Sequence, residues 1–339
     1  MNSTIGFLHR ELQLQGAAAF AICRAAPVEC SHTHIYKHWL DTGMHASMHY
    51  MTHHMHLRDD PRLLLDGACS VICVAFNYRQ RSPEAARGVA TYALGDDYHD
   101  TLRKRLKAVT ERMKGIFGGD YRICIDSAPI PERYWAVKSG LASLTANGNV
   151  AIPEAGSMIF LTEILTTLSL EEGRHSLGTA SGSLQSGTAG STARHCSGCG
   201  KCRQACPTGA LLENGLVDAR RCLNYLTIEH RGPWSGTQRN LATLPDGQPA
   251  SLFGCDICQR ACPLNAGENP PIIPEFTPRP LFRGEIPVLT PVKIAQMSQE
   301  EFSATFSKSP IKRAKLAGLK RNALLPPGND PIRLDEERQ

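Results

Sequence analysis

Eight cysteines fall within 67 positions, and two groups of them end in Cys-Pro. They are Cys196, Cys199, Cys202 and Cys206 in "CSGCGKCRQACP", Cys222 in "RRCLNYLTIEHRG", and Cys255, Cys258 and Cys262 in "CDICQRACP". The first group spells C-x2-C-x2-C-x3-C-P, a ligand run of two-cluster iron–sulfur proteins. Three closely spaced thiolates cap three corners of one cubane. The fourth, set apart by its proline, reaches the neighbouring cluster. The second group is one cysteine short of this run, and Cys222 supplies the missing ligand. Eight ligands make two [4Fe-4S] clusters. The crossover assigns Cys196, Cys199, Cys202 and Cys262 to one, and Cys206, Cys222, Cys255 and Cys258 to the other. Two zinc sites are the alternative, but zinc sites rarely show two Cys-Pro endings in this register.

The rest of the composition fits that reading. The chain has 339 residues, 42% hydrophobic and 20% charged, an ordinary globular balance. No apolar run approaches the roughly 18 residues of a membrane span. The N-terminus has no basic segment leading into an apolar core, and no twin-arginine pair. The expectation is a cytoplasmic protein with no membrane contact. In that reducing compartment the 13 cysteines suit metal binding better than disulfides. Cys69, Cys73 and Cys124 lie in "ACSVICVAF" and "YRICI" and read as buried strand cysteines.

Roughly 190 residues precede the clusters, too many for a bare ferredoxin. They show an α/β (α+β) pattern. "CSVICVAFNY" reads as a buried strand and "DYHDTLRKRLKAVTERMKGIF" as an amphipathic basic helix. "YRICIDSAP" reads as a short strand ending in a turn, and "PERYWAVKSGLA" as a helix with Pro131 in its first turn. "GSMIFLTEILTTLSL" is strand or helix. The predicted organisation is a cofactor- and substrate-binding α/β domain over 1–171 and a Gly/Ser/Thr-rich flexible loop over 172–194. A ferredoxin-like domain over 195–270 and a C-terminal extension over 271–339 with a basic helical segment follow.

Five segments, in order, resemble epoxyqueuosine reductases: "DDPRLLLDGACSVICVAFNY", "YALGDDYHDTLRKRLK", "DSAPIPERYWAVKSGL", "RRCLNYLTIEHRG" and "CDICQRACPLN". The resemblance covers about residues 5 to 325. That family also resembles reductive dehalogenases. The resemblance implies a cobalamin-binding domain followed by the two-cluster domain. It implies reduction of epoxyqueuosine to queuosine in tRNA, with electrons passing singly from the clusters to cobalamin. It also implies an external low-potential electron donor and a monomer. The cobalamin comes from the resemblance alone, because no aspartate here begins an Asp-x-His-x-x-Gly signature.

The resemblance implies specific residues as well. Asp126 matches the family's proton donor to the departing oxygen, and burial beneath a corrin ring would keep it protonated. A bare helix or turn cap is the other reading. Arg58, Asp97, His99, Val150, Leu161, Asn224 and Asp256 match positions around the corrin. For Asn224 and Asp256 the reason is their neighbours Cys222 and Cys255.

Net charge is only +5, so distribution matters more than total. "KSPIKRAKLAGLKRN" holds six basic residues and no acid. Lys312, Arg313, Lys315, Lys320 and Arg321 from it, with Arg231, are the expected tRNA contacts. Ser298 and Glu301 form a predicted capping box. Eight histidines between His32 and His56 have irregular spacing and read as a solvated surface. After "KSGL" the family continues with a glycine-rich stretch, whereas this chain reads "ASLTANGN". The exchanged positions, Ala142, Thr145 and Ala146, predict a reshaped loop. The alternatives are a dehalogenase-like reductase of a small molecule and a non-catalytic electron-transfer protein.

Overall fold

The computed structural model describes residues 3–177, 196, 198–213, 215–244, 247, 249–284 and 290–324. The chain opens with helix α1 (Ser3–Leu14), strand β1 (Ala19–Arg24) and helices α2 (Cys30–Asp41) and α3 (Met55–Asp59). Strand β2 (Ser70–Asn77) is buried along its whole length, as its β-branched and aromatic run requires. Helix α4 (Tyr98–Phe117), strand β3 (Tyr121–Cys124) and helix α5 (Glu132–Lys138) follow. A short hairpin, β4 (Ser143–Leu144) and β5 (Val150–Ala151), leads to β6 (Ile159–Thr166) and β7 (Gly173–Ser176).

Five strands make one antiparallel sheet in the order β3-β6-β2-β1-β7. The domain is therefore the α+β form of the expected class. On one face Phe20, Ile22, Ile72, Val74 and Phe76 meet Leu102, Leu106, Val109 and Met113 of α4. Their spacing is the apolar stripe of an amphipathic helix. On the other face the strands present Ala21, Cys73 and Ala75, and Trp135 and Ala136 of α5 pack over them. Small residues on the sheet leave room there for an indole.

A third core joins the N-terminal half to residues 281–323. Val89 and Leu94 pack with Phe253, Leu281, Phe302, Phe306, Ile311 and Leu319. Residues 290–324 are thus part of the body. Ser298 and Glu301 form the expected capping box, with bonds of 3.1 and 2.7 Å.

Two expectations are corrected. Cys69 is exposed, because it lies in the turn before β2, where its backbone N–H bonds to Thr166. The predicted flexible loop begins inside the sheet, since Gly173–Ser176 pairs with β1 as an edge strand. Backbone pairing overrides a composition poor in apolar side chains. Residues 178–195 of that loop lie outside the described residues.

Candidate functional site

Asp126 lies two residues past β3 and has a left-handed backbone, φ 47°. Aspartate tolerates this conformation better than most residues. Its backbone N–H donates to Glu132 Oε1 at 2.6 Å, which ties the loop to the start of α5. Its Oδ2 accepts from Tyr98 Oη and pairs with His99 Nε2, each at 3.0 Å. His99 Nδ1 meets Asp97 Oδ1 at 2.8 Å. Asp97 is also the N-cap of α4, accepting from the His99 N–H. One helix start therefore delivers the phenol and imidazole to a single carboxylate, with Asp97 behind the imidazole. Tyr98 is held flat between His99 and Phe160, with ring centroids 4.1 and 4.3 Å away.

Burial alone would lower the pKa of His99, but the hydrogen bonds to Asp126 and Asp97 outweigh it and raise it to about 9. Burial would raise Asp126, yet the His99 and Tyr98 hydrogen bonds hold it below the usual carboxylate range. Its side chain is 57% exposed. Two carboxylates flanking the ring favour the imidazolium form of His99.

None of the eight cysteines is paired in a disulfide. Like-charge repulsion links them in two sets. Cys262 faces Cys196, Cys202 and Cys199, while Cys258 faces Cys255, Cys222 and Cys206. The same grouping is the one expected from a crossover of ligands, which would place one cluster at each set. Cys202 also faces Cys258, so the quartets adjoin. Burial first, then the neighbouring thiols, raises Cys258 to about 12 and Cys255 to about 11. Bound iron would hold these thiols as thiolates. Among the described residues, no three Cys, His, Asp or Glu side chains converge tightly enough for a single metal ion.

Other predicted residues divide between open and committed. Arg58 lies 5.9 Å from the Tyr36 ring, and its buried Nε has no protein partner. Leu161 is partly exposed at the edge of the second core and Val150 is buried in it. Asn224 Oδ1 accepts from the Cys255 N–H at 2.8 Å. Asp256 is buried, accepts from the Thr91 N–H at 2.9 Å and pairs with Arg260 at 2.9 Å. Both side chains brace the second cysteine group.

The basic segment also divides. Lys312 and Lys315 are exposed and Lys320 partly so. The arginines are tied to the protein. Arg231 donates to the Ile228 and Arg313 carbonyls at 2.7 and 2.9 Å. Arg313 grips Glu229 through two bonds of 2.8 and 2.7 Å. Arg321 donates to the Leu226, His230 and Gly232 carbonyls at 2.8 to 3.0 Å and stacks on Trp234. A planar guanidinium satisfies several carbonyls at once, whereas an ammonium favours water. Arg321→Met is expected to cost about 2–3 kcal/mol of stability, the range for charged hydrogen bonds. Urea unfolding would measure it, and an unchanged midpoint would refute this role.

Residues 58–127 match the family model described as epoxyqueuosine reductase QueG, DUF1730. Residues 195–265 match a 4Fe-4S double cluster binding domain. An epoxyqueuosine reductase of Cellulophaga algicola is 34% identical over 289 residues, covering 84% of this chain and 85% of the relative. One from Synechocystis is 34% identical over 293 residues, covering 84% and 91%. The chain belongs to the epoxyqueuosine reductase family. The crystal structure of an epoxyqueuosine reductase with an epoxyqueuosine-modified tRNA-Tyr stem loop shares the fold. Its TM-score is 0.78 at 24% identity, covering 95% of this chain and 81% of that one. The Bacillus subtilis epoxyqueuosine reductase, solved with its aspartate catalytic loop swung out of the active site, gives 0.75 at 25% identity and the same coverage.

The loop after "KSGL" carries the three exchanges expected to reshape it. The exchanged Ala142, Thr145 and Ala146 all have negative φ, so none demands glycine, while the retained Gly148 has φ 75°. The Ala146 N–H points at Cys196 Sγ, 3.4 Å away. Asn147 Oδ1 accepts from Thr145 Oγ1 at 2.6 Å, leaving its buried Nδ2 without a protein partner. Sequence reasoning missed three residues of the cleft. Tyr98 and Glu132 carried no signal beyond lying in "DDYH" and "PER". Tyr50 sits 5.5 Å from the Arg313 guanidinium, from a segment read only as histidine-rich surface.

Proposed function

We propose that this protein reduces epoxyqueuosine in tRNA to queuosine. The observation that carries the reading is the Asp97–His99–Asp126–Tyr98 constellation, in a fold whose adjoining segment brings eight thiols into two quartets. The quartets would hold two [4Fe-4S] clusters. Arg58 Nε and Asn147 Nδ2, buried donors lacking partners, suit the amide carbonyls that rim a corrin. Clusters and cobalamin, when bound, supply the two electrons of the reduction.

The chain's own part is proton supply and placement. Opening an epoxide to an alkene expels oxygen as water, so that oxygen must be protonated. Asp126 is the group on the exposed side of the pair, and His99 holds the proton 3.0 Å behind its Oδ2. Asp97 fixes the ring from the other side and keeps the imidazolium charged. Tyr98 orients the same Oδ2. Burial raises the Tyr98 phenol, which therefore stays a donor. Lys312, Lys315 and Lys320 provide phosphate contacts, and Tyr50 with Arg313 offers a stacking edge for a base.

The test is conversion of epoxyqueuosine-bearing tRNA by anaerobic, cluster-loaded protein with cobalamin and a low-potential reductant, read by nucleoside mass spectrometry. Formation of queuosine is expected; intact epoxyqueuosine would overturn the reading. The rate should fall as pH rises through about 9, where His99 loses its proton. The same deprotonation removes stability. A folded-state pKa raised above the ordinary histidine value gives stabilisation that is complete below that value and lost as pH rises through about 9. A flat alkaline limb would count against His99 as the proton holder.

A further inference from the structure

The stretch "TANG" at 145–148 has the composition of a tight turn, with Asn-Gly at its end. It closes the β4–β5 hairpin. The Gly148 N–H donates to the Thr145 carbonyl at 3.0 Å, and the Thr145 N–H donates to the Asn149 carbonyl at 2.8 Å. Ala146 and Asn147 both have negative φ, as the two central positions of a type I turn require. Side chains brace the same turn. Thr145 Oγ1 and the Asn149 N–H both donate to Asn147 Oδ1, at 2.6 and 3.2 Å. Thr145 and Asn147 are buried.

The turn is held from two sides. Arg133, at the start of α5, donates from Nη1 to the Gly148 carbonyl at 2.8 Å. A Cβ at Gly148 would lie 2.9 Å from Val217 Cγ2 and 3.3 Å from the Gly215 carbonyl oxygen. The turn therefore lies against the segment that joins Cys206 to Cys222. Glu132, next to Arg133, accepts the Asp126 N–H at 2.6 Å. The start of α5 thus fixes both the Asp126 loop and this turn. What the turn presents is a backbone group. The Ala146 N–H donates to Cys196 Sγ, 3.4 Å away.

We propose that the 145–148 turn sets the reduction potential of one cluster. The Ala146 N–H donates to the Cys196 thiolate and makes the cluster held by Cys196, Cys199, Cys202 and Cys262 easier to reduce. Reduction there adds one electron and no proton, and no bond forms or breaks. The electron comes from a low-potential reductant, such as dithionite. The added negative charge spreads onto the sulfurs, and an N–H dipole aimed at one of them stabilises the reduced form more than the oxidised one. Hydrogen bonds to the sulfurs are among the features that set such potentials. The bond comes from the backbone, so alanine serves at 146, and the buried Thr145–Asn147 brace holds its direction. Ala146 acts through a cluster ligand and is a positioning residue. This inference rests on the two-cluster reading of the eight thiols and is independent of what the clusters reduce.

Ala146→Pro removes this N–H alone, because proline suits the first central position of a type I turn. Titration of the anaerobic, cluster-loaded protein with dithionite, followed by electron paramagnetic resonance, reads one midpoint per cluster. Ala146→Pro should lower one midpoint by about 59 mV, a tenfold change in a one-electron equilibrium and the scale of one hydrogen bond. The other midpoint should stay. In a Cys222→Ser background the shift should persist, since the retained set contains Cys196. Ala146→Gly keeps the N–H and should leave both midpoints in place. A second measurement needs no substituted protein to load its clusters. The reduced unsubstituted protein, labelled with ¹⁵N-alanine, should show ¹⁵N hyperfine coupling in pulsed resonance spectra, and absence of that coupling overturns the proposal. Unmoved midpoints in loaded Ala146→Pro overturn it too, as does a shift that Cys222→Ser abolishes or that Ala146→Gly reproduces. If the protein takes up no iron, the two-cluster reading fails and the proposal fails with it.

Discussion

Asp126→Asn is expected to lower turnover of epoxyqueuosine-bearing tRNA by about 100-fold or more, the usual contribution of a positioned acid. The substitution keeps size and a hydrogen-bond acceptor, and asparagine tolerates the left-handed backbone at φ 47°. The variant should therefore fold and load its clusters. What it loses is the charge opposite His99, one of the two carboxylates that raise the imidazole to about 9. The His99 titration, followed by NMR, should move down toward the ordinary histidine value. Both the acid and the holder of its proton are thus weakened by one change. Wild-type turnover in a folded, cluster-loaded variant would refute the catalytic assignment.

Cys222→Ser is expected to reduce bound iron from about eight to about four per chain, because each cubane carries four irons. Its thiol belongs with Cys206, Cys255 and Cys258, while the set of Cys196, Cys199, Cys202 and Cys262 stays complete. Iron and acid-labile sulfide analysis, with electron paramagnetic resonance of the reduced protein, would read the remaining cluster. Cys202 faces Cys258 across the two sets, so the surviving cluster should show a simplified spectrum without coupling to a neighbour. Complete loss of iron would mean that the two sites assemble only together. Full retention would remove Cys222 from the ligand set.

The sequence by itself determined the parts whose chemistry is local. Cysteine spacing and two prolines gave both quartets. The unbroken apolar run at 70–77 gave a central strand, and the 3.6-residue period of 98–117 gave its covering helix. The capping box at Ser298 and Glu301 was equally readable, since its partners are three residues apart. Charge states were not readable. Asp126 and His99 lie 27 residues apart, and only α4 and β3 bring them to 3.0 Å, where each biases the other's charge. Glu132, which accepts the Asp126 N–H at 2.6 Å, meets that loop only after α5 packs on the sheet. The basic segment shows the same division. Composition marked Arg313 and Arg321 as cations for RNA, but folding aims them at Glu229 and at three backbone carbonyls. Residue type sets which bonds a side chain can make. Which partner it meets, and hence whether it keeps its charge or proton, depends on distances that only the packed sheet and helices fix.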